Sequence, residues 1–126
     1  MAKLKFPELF EIEIDGWRHG IEENAKNLTP KLLHSVIKEM SESFLIAIEK
    51  NYVFDILKIA ENISKASNNI ANPKEITFYI LATFPHPEKF NDEQKQTLAK
   101  LIDQVEKKYG GAKDRLMKKW GKEKLG

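Results

Sequence analysis

The chain has 126 residues, a formal charge of +2 and no cysteine, which excludes disulfides, thiolate metal ligands and thiol nucleophiles. One domain of ordinary size is expected, burying roughly two-thirds of the unfolded surface in a core that needs no cross-links. Its charge is unevenly placed: residues 1–106 carry 13 Lys+Arg against 17 Asp+Glu, and residues 107–126 carry 8 against 2, so a −4 body precedes a +6 tail.

Residues 1–27 support two readings. Phe10, Ile12 and Ile14 alternate with Glu11, Glu13 and Asp15 as in a strand, whereas Phe10, Ile14, Trp17 and Ile21 are spaced for a helix. Gly16 and Gly20 argue against a continuous helix and tip the expectation to an extended or short-strand segment with a turn at Asp15-Gly16. The first residues, Met1-Ala2-Lys3-Leu4-Lys5, run into Pro7 and Glu8 instead of an apolar stretch, and nothing later approaches the roughly 18 apolar residues of a membrane span. A soluble, cytoplasmic protein is the expectation.

From residue 28 the signals are helical. Thr29 caps, Pro30 takes the first helical position, Leu28 staples to Leu33, and Leu33, Val36, Ile37, Met40, Phe44, Ala47 and Ile48 predict an amphipathic helix to about Lys50. Asn51 interrupts. A second run opens at Tyr52-Val53-Phe54, passes through Ile56, Leu57, Ala60 and Ile63, and predicts a helix of about four turns ending at Ser67-Asn68-Asn69. Asn72-Pro73-Lys74-Glu75 starts a third helix, apolar on nearly all sides to Phe84 and expected to be the most buried, which Pro85 and Pro87 end. Asn91-Asp92-Glu93-Gln94 forms a capping box for a fourth helix with Leu98, Leu101, Ile102 and Val105 as its stripe, stopped by Gly110-Gly111. A short fifth helix is predicted from Ala112 to about Trp120. The expected architecture is all-α: a small bundle of four to five helices, divided into an N-terminal segment (1–27), a helical core (28–109) and a basic C-terminal helix (110–126).

The chemistry is defined mainly by what is missing. His19, His34 and His86 stand in no paired-histidine, Glu-x-x-His or His-Glu-x-x-His spacing, so no metal ligand set is visible and no metal or other cofactor is expected. The glycines form no phosphate cradle, and no serine sits in a nucleophile elbow. No catalytic residue is assigned, and a non-enzymatic protein is expected; a small helical enzyme with a carboxylate site assembled in space is the remote third class. Phe44, Tyr52, Phe54, Phe78, Tyr79 and Phe84 read as core fillers, and His19 and His34 as surface or partly buried histidines.

The tail carries the functional lead. Ala112, Leu116 and Trp120 line up at four-residue spacing, with Arg115, Lys118, Lys119 and Lys122 on other faces, Lys113 near the start, and Lys107 and Lys108 before the glycines. Three uses fit this pattern. The apolar stripe docks on the bundle and the lysines are solvated; or the cations neutralise phosphates while Trp120 or Tyr109 stacks on bases; or the helix meets an anionic membrane surface or an acidic protein. With 19 lysines and two arginines, the chain's cations suit phosphate backbones better than base edges. The candidate nucleic-acid residues are therefore Lys107, Lys108, Lys113, Arg115, Lys118, Lys119, Trp120 and Lys122, with RNA or DNA and other protein subunits as partners. In size and charge the chain is similar to the small all-helical subunits of nucleoprotein assemblies, including RNA-guided antiviral effectors, a resemblance carried by no motif. It implies an accessory or assembly subunit. The alternative is a helical protein-interaction module or homodimer with no nucleic-acid role.

Overall fold

The computed structural model describes residues 5–125, with side chains through residue 121, and within that range the chain is helical without strands. The α-helices are α1 (Glu8–Glu23), α2 (Pro30–Glu39), α3 (Ser41–Glu49), α4 (Ile56–Ala66), α5 (Pro73–Leu81), α6 (Asp92–Tyr109) and α7 (Ala112–Leu125), with 3-10 turns at Ala25–Asn27 and Pro87–Lys89.

The first correction falls at the N-terminus, where α1 runs straight through both glycines. Gly16 and Gly20 cost the helix about 1 kcal/mol each relative to alanine. Against this, Phe10, Ile14 and Ile21 are buried on one face, and each such side chain contributes roughly 1.5–3 kcal/mol. Burial wins, so the helical spacing prevails over the strand-like alternation. Residues 1–4, part of the segment read as extended, lie outside the described residues. Arg18 braces the exposed side of α1 by pairing with Asp15 and Glu22, both at 2.9 Å; the Asp15 hydrogen bond and charge, ahead of Glu22, push its pKa up.

The expected helix from residue 28 to Lys50 is two helices meeting at Met40. The Met40 amide is shared between the carbonyls of Val36 and Ile37, at 3.2 and 3.0 Å. This tightened turn redirects the axis, so Leu33 and Ile37 of α2 and Phe44, Ala47 and Ile48 of α3 all reach one core. Asn51, with φ 59°, reverses the chain while Tyr52 N donates to Ala47 O.

Tyr52-Val53-Phe54 is not the first turn of the next helix, because Asp55 is its cap, accepting from Lys58 N at 3.1 Å. The intervening strand-like residues find their backbone partner in Gln104 of α6, which donates to Phe54 O and accepts from Ile56 N. Phe54 stacks on Phe44 (centroids 5.3 Å apart) and lies 4.9 Å from Phe10. Tyr52 Oη donates to Glu11 at 2.7 Å, tying this segment to α1. Burial, followed by that hydrogen bond, pushes the Tyr52 pKa up to about 12.

The remaining starts match their signals. Asn72 caps α5, and Asn91 with Gln94 forms the reciprocal box of α6. The most buried element is α4 instead of α5: Ile56, Ile59, Ala60, Ile63, Ser64 and Ala66 are enclosed because α4 packs on α1, α5 and α6 together. In α5, Ile76, Thr77, Ile80 and Leu81 hold the core, leaving Phe78 and Tyr79 half-buried on its flank. One apolar cluster extends from Phe10 in α1 to Leu116 in α7.

Candidate nucleic-acid interface

The basic corner begins where α6 ends. Gly110 and Gly111 take φ of 74° and 75°, a left-handed conformation that side-chain-bearing residues resist, and the chain turns back on itself. Glu106, still in α6, then acts as the cap of α7. Its Oε2 accepts from Ala112 N at 2.8 Å and Lys113 N at 3.3 Å, placing a carboxylate at the positive end of the helix dipole.

The apolar stripe docks as its spacing allows. Ala112 and Leu116 are buried between α5 and α6, and Trp120 is half-buried with its ring edge-on to His86, centroids 5.9 Å apart. Among the described residues the enclosed Trp120 Nε1 has no hydrogen-bond partner.

The eight sequence candidates divide by environment. Lys119 Nζ donates to Ala82 O and to Phe84 O, the latter at 3.2 Å, so it supplies a cation at the carbonyl end of α5. Arg115 lies over the Phe78 ring, its guanidinium carbon 4.1 Å from the centroid. These two and Trp120 help hold α7 in place. Lys107, Lys108, Lys113 and Lys118 are exposed, and Lys107 also pairs with Asp103 at 3.2 Å within α6. Lys122 belongs to α7, but its side chain lies outside the described residues.

Beside Arg115 opens a cleft of about 560 Å³ that also exposes Lys74, His34, Phe78 and Tyr79. The His34 and Tyr79 rings lie 4.4 Å apart at 38°. Asn72 and Glu75 complete the wall, with Asn72 Oδ1 accepting from Glu75 N at 2.8 Å to cap α5. Two cations and an aromatic shelf thus adjoin on one surface. The sequence pattern points to core filling for Phe78 and Tyr79 and to a surface or partly buried position for His34. The available signal was that Phe78 and Tyr79 are consecutive: on a helix they stand about 100° apart, so they could not share the line of Ile76 and Ile80.

Among the described residues no three His, Asp or Glu side chains gather as a metal site. None of the described helices is long and apolar enough to cross a membrane. No protein family, curated protein or solved structure matches the chain.

Proposed function

We propose that the protein is a non-enzymatic accessory or assembly subunit, acting in the cytoplasm, whose α6–α7 corner binds nucleic acid and prefers single strands. The observation that carries this reading is the adjacency of Arg115 and Lys74 to the His34–Tyr79 shelf. Phosphates follow Lys74, Arg115 and Lys118, while bases stack on Tyr79 and His34, contacts that a duplex would keep out of reach. Lys107, Lys108, Lys113 and Lys122 extend the field. Lys119 and Trp120 contribute through the docking of α7. A surface of this size binds weakly alone and gains affinity when several copies share one strand.

Binding of labelled single-stranded and duplex RNA and DNA at 50 and 200 mM salt tests it. About four phosphate contacts on a single strand give a salt slope near −2.8, hence a roughly 50-fold loss across that range. Lys74→Glu with Lys118→Glu should abolish binding at the higher salt, and Tyr79→Ala should weaken single strands selectively. Equal affinity for duplex and single strand refutes the shelf. Unchanged binding by the charge-reversed protein refutes the interface, and no binding at 50 mM leaves the protein-interaction class.

A further inference from the structure

A second cleft, with the opposite electrostatic character, runs between α1 and the α2–α3 pair. It encloses about 720 Å³. Its apolar lining is Trp17, Ile21, Leu28, Val36 and Ile46, and its acidic rim is Glu13 on α1, Glu39 on α2 and Glu42 on α3; among the described residues no lysine or arginine lines it. Neither Glu39 nor Glu42 has a cation partner among the described residues. Ser43 Oγ donates to Glu13 Oε2 at 3.0 Å, holding that carboxylate at the edge.

The groove is open because α1 presents Gly16 and Gly20 to it, and a Cβ at either position would meet no atom within 4 Å. Exposed apolar side chains continue it. Leu9 is 45% exposed and lies seven residues before Gly16 on the same helical line; Leu32, 49% exposed, precedes Val36 by one turn. From Glu13 to Asn24 the α1 wall is about 16 Å long, the length of three helical turns.

We propose that this groove is the docking site for an amphipathic helix of a protein partner, about three turns long, with an apolar stripe flanked by lysine or arginine. Charge complementarity selects that occupant: acidic groups stand on both walls, and no cation among the described residues forms an ion pair with them. An acidic or neutral helix would leave the carboxylates facing an apolar or like-charged surface as water is excluded, whereas a basic one pairs with them. Apolar contact on Trp17, Val36 and Ile46 supplies affinity, and the carboxylates set orientation and choice of partner. The inference is independent of the nucleic-acid reading, since the groove lies on the other flank of α2: His34 and Val36 are about 160° apart around that helix.

The test uses the intact chain and two labelled helical peptides of about four turns with the same leucine stripe, one flanked by lysines and the other by glutamates. The lysine peptide should bind with roughly micromolar affinity, weaken with salt, and shift the amide resonances of Gly16 and Gly20. Glu39→Lys with Glu42→Lys should weaken it by about tenfold or more, and Gly20→Leu, whose Cβ meets no atom within 4 Å and whose side chain extends into the groove, should block it. Thermal unfolding verifies that both variants fold. Equal binding of the two peptides, absence of binding, or full binding by either folded variant overturns the proposal. So does self-association of the chain that the double charge reversal abolishes, since that outcome gives the groove to a second copy.

Discussion

The two terminal helices, α1 and α7, both carry an apolar stripe in a charged sequence, yet they use it differently. The stripe of α7 is covered from within the molecule: Ala112 and Leu116 are enclosed, Arg115 rests on Phe78, and Lys119 reaches the carbonyl end of α5. What faces outward is largely cationic. α1 buries Phe10, Ile14 and Ile21, but its flank at Trp17, Gly16 and Gly20 opens into an acid-rimmed groove. Similar amphipathic patterns can therefore leave a polar surface or an apolar one, depending on how many neighbours the helix meets. α7 lies against α5 and α6, whereas α1 lies against α3 and α4 with one side uncovered.

The sharpest way to break this comparison is at the anchors. Phe10→Ala removes a ring that contacts Phe6, Phe44, Tyr52 and Phe54 and should cost about 3–5 kcal/mol in denaturant unfolding. A cost below about 1 kcal/mol would mean that α1 is not part of the cooperative core. Leu116→Ala should cost somewhat less, about 2–4 kcal/mol, and should increase amide exchange in α7 ahead of the rest of the chain. Uniform exchange across all helices would contradict separate docking of that element.

The glycines of α1 act in the opposite direction. Gly16→Ala with Gly20→Ala should raise stability by about 1–2 kcal/mol, because both are helical and both point into open space. Destabilisation would show that the groove is narrower than its geometry indicates. The smallest expected effect concerns Tyr52. Its folded-state pKa is raised above the unfolded value, so the hydroxyl's contribution is fully present below pH 10 and is lost as pH rises towards 12. Tyr52→Phe should flatten that part of the stability profile, and identical profiles for the two proteins would remove Tyr52 from the linkage.

Where local chemistry was sufficient, the elements were legible. Thr29-Pro30, Asn72-Pro73 and the Asn91–Gln94 box each satisfy backbone donors within a few residues, and Gly110-Gly111 supplies a conformation few other residues accept. Where distant contacts decide, the sequence was ambiguous. The helical state of α1 depends on Phe10 meeting Phe44 and Phe54, and the extended residues before α4 depend on Gln104, about 50 positions away. The same holds for the basic corner. The docking stripe was readable from four-residue spacing, but the bonds from Lys119 to residues 82 and 84 cross 37 and 35 positions. The acid-rimmed groove could not be inferred while the segment forming one of its walls was read as extended.

The left-handed pair Gly110-Gly111 also bears on how this chain stays within its own boundaries. Alanine at both positions would penalise the turn and favour helix, fusing α6 and α7 into one rod from Asp92 to Leu125, roughly 50 Å long. Leu116 would then leave its slot, and the vacated slot would fit the same helix from a neighbouring molecule. Two glycines thus keep a self-complementary segment folded against its own chain, guarding against domain exchange as well as making a bend.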